Sequence, residues 1–179
     1  MNATYIDKVA PLFSADAIEQ RIQEIGKKIS VDYGAISPEN PLCLIVVLKG
    51  AFIFAADLIR TITIPCTIDF IRASSYGSEK FSSGTVDITH NLTVANRHLL
   101  LIEDIVDTGL TIQRITADLL ARKPASLRIC TLLDKPDSRK HLVDITYTGF
   151  IVPDNFIVGY GIDYNEHYRE LPSLGMLDS

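Results

Sequence analysis

The run Leu42-Cys43-Leu44-Ile45-Val46-Val47-Leu48 limits the fold more than any other stretch of the chain. Its seven residues are apolar and mostly branched, with no polar interruption. A bilayer span needs roughly 18 or more such residues, so the run is too short to cross a membrane. An amphipathic helix would interleave polar residues at a 3.6-residue period. A short run that is apolar on both faces is a strand covered from both sides, as in the centre of a parallel sheet.

The segments around it repeat this grammar. Ala51–Arg60 reads as a helix and Ile64–Ile71 as a second strand. His98–Ile105 is an apolar run that ends in acid. Ile112, Ile115 and Leu119 then mark one helix face, with Arg122 and Lys123 in the last turn and Pro124 as the stop. Leu127–Leu133 is the next strand, and Phe156–Val158 is read as the last. Near the N-terminus Ser14 is an N-cap, with Asp16 and Glu19 in the first turn and Ile18, Ile22, Ile25 and Ile29 on one face. Phe13 and Ile18 occupy the positions of a hydrophobic staple. Strands alternating with helices at these lengths predict an α/β fold with an open, mostly parallel sheet flanked by helices.

Arg72–Arg97 breaks the rhythm. Its first half is rich in Ser and Gly, and its second half alternates Val86, Ile88, Leu92 and Val94 with Thr85, Asp87, Thr89, Asn91 and Thr93. That pattern predicts a two-stranded arm with a flexible tip, and long loops in compact domains are commonly lids.

Composition narrows the function classes. The chain has 179 residues, which suits one domain, and 47% hydrophobic and 22% charged residues exclude a disordered chain. Seventeen basic against 22 acidic residues give a net charge of -5, so non-specific nucleic-acid binding, which depends on phosphate neutralisation, is disfavoured. The N-terminal residues Met1–Asp7 show no signal-peptide pattern. Cys43, Cys66 and Cys130 form no CxxC and sit among apolar residues, which predicts buried thiols in a reducing cytoplasm.

In open α/β sheets ligands bind beyond the carboxyl ends of the strands. The segment Leu101-Ile102-Glu103-Asp104-Ile105-Val106-Asp107-Thr108-Gly109-Leu110-Thr111 delivers two adjacent carboxylates from an apolar strand, then a third, then a Thr/Gly turn opening a helix. Free backbone N–H groups at that helix start, with the Thr108 and Thr111 hydroxyls, suit a phosphate monoester. The carboxylates cannot bind phosphate, but they suit sugar hydroxyls, a magnesium ion or a proton. A phosphorylated ribose meets all three demands. Helix capping alone would need one such residue and would leave Glu103-Asp104 unexplained.

This segment resembles the signature of the type I phosphoribosyltransferases, which bind 5-phosphoribosyl 1-diphosphate. Four further motifs, in order, resemble the hypoxanthine-guanine members. Val47-Leu48-Lys49-Gly50-Ala51 is similar to their diphosphate loop and Ser74-Ser75-Tyr76-Gly77 to their flexible catalytic loop. Leu133-Asp134-Lys135 is similar to their purine-contacting segment, and Phe156 through Arg169 to their C-terminal purine and metal segment. The likeness runs from about Leu44 to Gly175.

The resemblance implies a type I phosphoribosyltransferase fold over residues 1–179, with a core of about 36–158, a lid of about 72–97 and a small hood from about 1–35 and 159–179. It implies that Glu103 and Asp104 hold the ribose hydroxyls directly or through Mg²⁺, and that Asp107 is the general base at purine N7. Thr108, Gly109, Leu110 and Thr111 would cradle the 5′-phosphate beside Ile105 and Val106. The family often has Lys where this chain has Leu110, a departure of little consequence for a backbone donor. Lys49 and Gly50 would bind diphosphate, with a cis peptide before Lys49. Lys135 would donate to O6 of a 6-oxopurine, Phe156 would stack on the base, and Ile157 would read its far edge through backbone atoms. Asp163 would ligate a second Mg²⁺ and Arg169 would contact diphosphate, while Ser75 and Tyr76 belong to the lid.

The implied reaction is purine salvage: transfer of the phosphoribosyl group to N9 of hypoxanthine, and of guanine, giving the nucleoside monophosphate and diphosphate. The alternatives are a xanthine-preferring enzyme and a nucleic-acid-binding regulator of the same fold, the latter disfavoured by the acidic balance. The resemblance also implies a homodimer or homotetramer. No P-loop, dinucleotide fingerprint, GxSxG motif or histidine metal spacing is present.

Overall fold

The chain runs in order through β1 (Val9–Phe13), α1 (Ala15–Asp32), β2 (Leu42–Leu48), α2 (Phe52–Thr61), β3 (Cys66–Ser75), β4 (Val86–Thr89), β5 (His98–Val106), α3 (Leu110–Ala121), β6 (Ser126–Asp134), β7 (Tyr147–Ile151), β8 (Ile157–Val158) and β9 (Leu174–Leu177). The structure, a computed structural model, describes residues 9–75, 86–89 and 92–177. The main sheet has the order β4-β3-β2-β5-β6-β7. Its strands β3, β2, β5, β6 and β7 are parallel, and β4 pairs antiparallel with the end of β3. This is the expected open, mostly parallel sheet, with helices covering both faces.

The opening run is β2, whose first six residues are buried. Its side chains divide by parity, as a strand's must. Leu42, Leu44 and Val46 enter the core under α1 and α2, whereas Cys43, Ile45 and Val47 enter the core under α3. β5 divides in the same way, with Leu100 and Ile102 on one side and Leu99 and Leu101 on the other. A continuous apolar run is therefore two alternating stripes, each with its own helical cover.

Helix α1 packs as the pattern requires, although only Asp16, not Glu19, lies in its first turn, and α2 runs one residue later than expected. The Ser14 hydroxyl accepts a hydrogen bond from the Ala17 N–H at 3.2 Å and caps α1, whose Ile18, Ile22, Ile25 and Ile29 are buried. Phe13 stacks on Phe150 with ring centroids 4.0 Å apart. Close approach of α1 to α2 depends on Gly26, where a Cβ would lie 1.7 Å from Thr61 Oγ1. At the end of α3, Arg122 and Lys123 lie just past the helix, not in its last turn; Lys123 adopts a left-handed φ of 56°.

Two expectations about strands are corrected. Phe156–Val158 is not the last strand and does not belong to the main sheet. Its β8 portion forms a separate antiparallel sheet of order β1-β9-β8, built from the two chain ends. The main sheet instead ends in β7, which the sequence pattern hid. Position 149 inside β7 must be glycine because a Cβ there would sit 2.3 Å from the Leu132 carbonyl oxygen, and a mid-strand glycine reads as a break. Pro11 hid β1 in the same manner.

Cys43 and Cys130 are buried free thiols, whereas Cys66, at the start of β3, is only half-buried. Of the predicted arm, Arg72–Ser75 pairs with Val86–Thr89. Tyr76 and the rest of the expected tip lie outside the described residues.

Candidate active site

The carboxyl ends of β2, β3 and β5 open onto a cavity of about 230 Å³. Gly50, Glu103, Asp104, Ile105, Val106, Asp107, Thr108, Gly109 and Thr111 all line it, together with Val47, Leu48, Ala73 and Ile112. Leu110 begins α3 but does not line the cavity. The turn into α3 uses Gly109 at φ 86°, where a Cβ would lie 2.6 Å from the His141 carbonyl oxygen. Gly109 supplies no side-chain cap, and the Leu110 N–H makes only a long contact to the Thr108 hydroxyl at 3.5 Å, so the start of α3 can receive an anion.

Glu103 is buried at 6% exposure, and its Oε1 accepts from the Asp104 N–H at 3.2 Å. Burial, then the neighbouring Asp104 charge, pushes the Glu103 carboxyl well above the usual carboxylate range. A Cβ on Gly50 would lie 1.7 Å from Asp104 Oδ2, so any larger residue there would push this carboxylate out of its position. Gly161, at φ 97°, in turn packs on the Gly50 carbonyl, where a Cβ would lie 2.4 Å from the oxygen.

The Leu48–Lys49 peptide is cis. The Lys49 side chain does not line the cavity; its Nζ reaches Glu166 Oε1 at 2.9 Å. Glu166 also meets Arg169 at 3.3 Å, and Arg169 meets Asp163 at 2.8 Å. The Lys49 hydrogen bond, followed by that of Arg169, holds the Glu166 carboxyl below its ordinary value. Lys49, from the loop after β2, therefore joins a second cluster, of ion pairs, with Asp163, Glu166 and Arg169, which come from a segment with left-handed Tyr160, Asn165, Glu166 and Tyr168.

Lys135 is buried at 6% exposure, with Nζ 3.8 Å from both Asp107 Oδ2 and Asp154 Oδ1. Phe156 is exposed and meets the Tyr164 ring edge-on at 5.2 Å between centroids. The Ile157 side chain is in the core, leaving only its backbone for a ligand. Ser75 ends β3, where it pairs with Val86. Two residues near these groups, Asp154 and Arg139, have no signal in the sequence because they sit in turns of unremarkable composition, and Tyr164, inside the Phe156–Arg169 segment but given no role there, meets the Phe156 ring.

Among the described residues no group of three or more His, Cys, Asp or Glu could hold a metal ion. The donor set that does fit one is the Glu103-Asp104 pair, two adjacent carboxylates in a partly buried cavity. Mg²⁺ binds through one or two carboxylates with substrate oxygens completing its shell, so the pair suits a cation that arrives with a ligand.

A cavity lined by carboxylates and a helix-start turn at the end of a parallel strand defines a class, and residues 11–165 match the phosphoribosyl transferase domain family; the chain belongs to the phosphoribosyltransferases. Similar curated proteins are more particular. A hypoxanthine-guanine phosphoribosyltransferase of Mycobacterium avium is 47% identical over 171 residues, covering 93% of this chain and 84% of that protein. A hypoxanthine phosphoribosyltransferase of Buchnera aphidicola is 43% identical over 166 residues, covering 92% and 93%. The crystal structure of a hypoxanthine phosphoribosyltransferase from Staphylococcus aureus matches with a TM-score of 0.90 at 39% identity, over 99% of this chain and 96% of that one. A Trypanosoma cruzi hypoxanthine phosphoribosyl transferase matches with a TM-score of 0.88 at 40% identity, over 94% and 90%.

Proposed function

We propose that this enzyme serves purine salvage, moving the 5-phosphoribosyl group of 5-phosphoribosyl 1-diphosphate to N9 of hypoxanthine and guanine. The products are the nucleoside 5′-monophosphate and diphosphate. The observation that carries this reading is the cavity at the end of β5, which joins an anion-binding turn to three carboxylates.

In this reading the turn Thr108–Thr111 anchors the 5′-phosphate through backbone N–H groups and hydroxyls. Ile105 and Val106 wall the ribose, and Glu103 and Asp104 hold its hydroxyls. Asp107, half-exposed beside the cavity, takes the N7 proton of the base so that electron density reaches N9. Lys135 donates to O6, Phe156 stacks on the ring, and the Ile157 backbone borders its far edge. Lys49, Gly50 and Arg169 contact the diphosphate, and Ser75 and Tyr76 close over it. Glu103 and Asp104 would hold one Mg²⁺, and Asp163 a second. The bound cation offsets negative charge that would otherwise oppose assembly of carboxylates and diphosphate.

We further read the chain as one domain, 1–179, with a core of about 36–158, a lid of about 72–97 and a hood from about 1–35 and 159–179. A homodimer or homotetramer is supported by exposed Phe52, Ile68 and Phe70, which offer apolar surface. A cytoplasmic site is supported by three free cysteines. No helix of the described residues is long and apolar enough to cross a membrane.

The test is a steady-state assay of hypoxanthine, guanine and xanthine with 5-phosphoribosyl 1-diphosphate and Mg²⁺, following diphosphate release. Turnover of hypoxanthine and guanine above xanthine is expected. Preference for xanthine would shift the substrate assignment, and no turnover of any 6-oxopurine would overturn the reading.

A further inference from the structure

The turn from Val106 to Gly109 lines the cavity on one side and is held from the other by the segment following β6. The hold is on its carbonyl oxygens. The Lys135 N–H donates to the Val106 carbonyl at 3.0 Å, and the N–H groups of Lys140 and His141 donate to the Thr108 carbonyl at 3.0 and 2.9 Å. The Asp107 carbonyl, which falls between them, receives its bond from Arg139 Nε at 3.0 Å. Arg139 Nη2 also donates to the Val106 carbonyl at 3.2 Å and pairs with Asp134 at the end of β6. Both members of that pair are largely shielded, with 17% side-chain exposure each.

This arrangement has a geometric consequence. In a trans peptide the C=O and the following N–H point in opposite directions. Carbonyls of Val106, Asp107 and Thr108 drawn toward residues 135–141 therefore turn the N–H groups of Asp107, Thr108 and Gly109 the other way, toward the cavity. Gly109, at φ 86°, has the conformational freedom that would let the adjoining peptide rotate, and a rotated peptide would aim a carbonyl oxygen at the bound anion. The Arg139 side chain also packs against Gly109, where a Cβ would lie 2.9 Å from Arg139 Cδ. A planar guanidinium can serve two carbonyls and a carboxylate at once, which a lysine ammonium on a flexible stem does not reproduce.

We infer that Arg139 is a positioning residue for the phosphate-binding turn: it fixes the peptides of Val106 and Asp107 with their N–H groups toward the 5′-phosphate, and it holds the backbone that carries the Asp107 carboxylate. The inference rests on the function proposed above. It assigns Arg139 no contact with substrate; its effect passes through the turn.

The experiment compares wild type with Arg139→Gln, Arg139→Lys and Arg139→Ala. It reads KM for each substrate, kcat, the thermal midpoint, and the affinities for inosine 5′-monophosphate and inosine, which differ by the phosphate. For Arg139→Gln, KM for 5-phosphoribosyl 1-diphosphate and Kd for the monophosphate should rise about 10- to 100-fold, the scale of loss when a preorganised donor set is misplaced. Inosine affinity and KM for hypoxanthine should stay near wild type. Arg139→Lys should recover only part of the loss, and added guanidinium should lower KM for the diphosphate substrate in Arg139→Ala. An unchanged ratio of monophosphate to inosine affinity in folded variants, whatever their thermal midpoints, would overturn the assignment. Wild type that fails to turn over hypoxanthine would overturn the proposed function instead, and the affinity ratio would still decide the role of Arg139.

Discussion

Lys135→Met isolates the group that should read the 6-position of the base. Methionine keeps a long apolar stem in a site that is 6% exposed, so packing is largely preserved and only the ammonium is lost. The ion pairs lost with it are weak. Each is 3.8 Å long, and the Asp107 and Asp154 side chains are 49% and 67% exposed, so their removal should cost at most about 1 kcal/mol of stability. For a chain of this length that is a fall of roughly 2–4 °C in thermal midpoint. The catalytic effect should be larger. A hydrogen bond from a charged donor is worth about 1.5–3 kcal/mol, which at about 1.4 kcal/mol per decade lowers kcat/KM for hypoxanthine about 10- to 150-fold. Adenine presents an amino group at the same position, and the wild-type ammonium has no acceptor to offer it. The variant should therefore turn over adenine no worse than wild type does, so the hypoxanthine-to-adenine ratio of kcat/KM collapses by at least the same factor. The assay is steady-state turnover of both bases at saturating 5-phosphoribosyl 1-diphosphate. If both fall in proportion, or if hypoxanthine is unaffected in a folded variant, Lys135 does not read O6.

Asp107→Asn keeps the shape of the proposed base and removes its basicity, so kcat should drop about 10²–10⁴-fold while nucleotide affinity largely survives; an unchanged kcat removes Asp107 from that role. Excess chelator should abolish turnover, and Mg²⁺ should restore it; activity persisting in chelator would contradict the use of the Glu103-Asp104 pair. Glu103 holds its proton to a higher pH in the folded protein than in the unfolded chain, so its contribution to stability is greatest in acid and is lost as pH rises through its elevated pKa. Urea midpoints of the metal-free protein at pH 5 and pH 8 should thus differ less in Glu103→Gln than in wild type; an equal difference would show that Glu103 is not the titrating group. Gly50→Ala would place a Cβ 1.7 Å from Asp104 Oδ2. That carboxylate can swing aside, so the thermal midpoint should hold while activity falls about tenfold or more, and the reverse pattern would mean that Gly50 serves only the fold.

The parts of the chain that could be read in advance are those whose neighbours lie close in sequence. β2 and β5 are apolar on both faces because helices cover both, and Glu103 follows β5's apolar stretch because that strand end opens onto the cavity. The turn at Thr108-Gly109 was legible because a single glycine opens a helix there. What escaped depended on distant backbone. Gly149 is in a strand because β7 pairs with β6, and it is glycine because the Leu132 carbonyl oxygen passes within 2.3 Å of where its Cβ would be; nothing near residue 149 in the chain announces either. Phe156–Val158 carries a strand pattern, but its pairing with β9 follows from where the C-terminus returns. Arg139 and Asp154 gain meaning only from Asp107 and Lys135, residues brought to them by the sheet.

The two regions proposed to bind anions differ in a way that suits the proposed reaction. The turn into α3 offers backbone N–H groups, whose orientation is locked by Arg139 and the segment behind it, and it needs no counter-ion when empty. Lys49 and Arg169 instead offer full charges, and both are already engaged with Glu166, while Arg169 also holds Asp163. A diphosphate binding there must displace carboxylates, and those carboxylates reclaim their partners when it departs. The 5′-phosphate stays attached to the ribose from substrate to product, so a permanent, neutral cradle serves it. Diphosphate is the leaving group and must be released in each cycle, so if it binds at this proposed site, the competing internal anions trade affinity for exit. The exposure of Glu166, whose side chain is 64% accessible, keeps that exchange open to solvent and inexpensive.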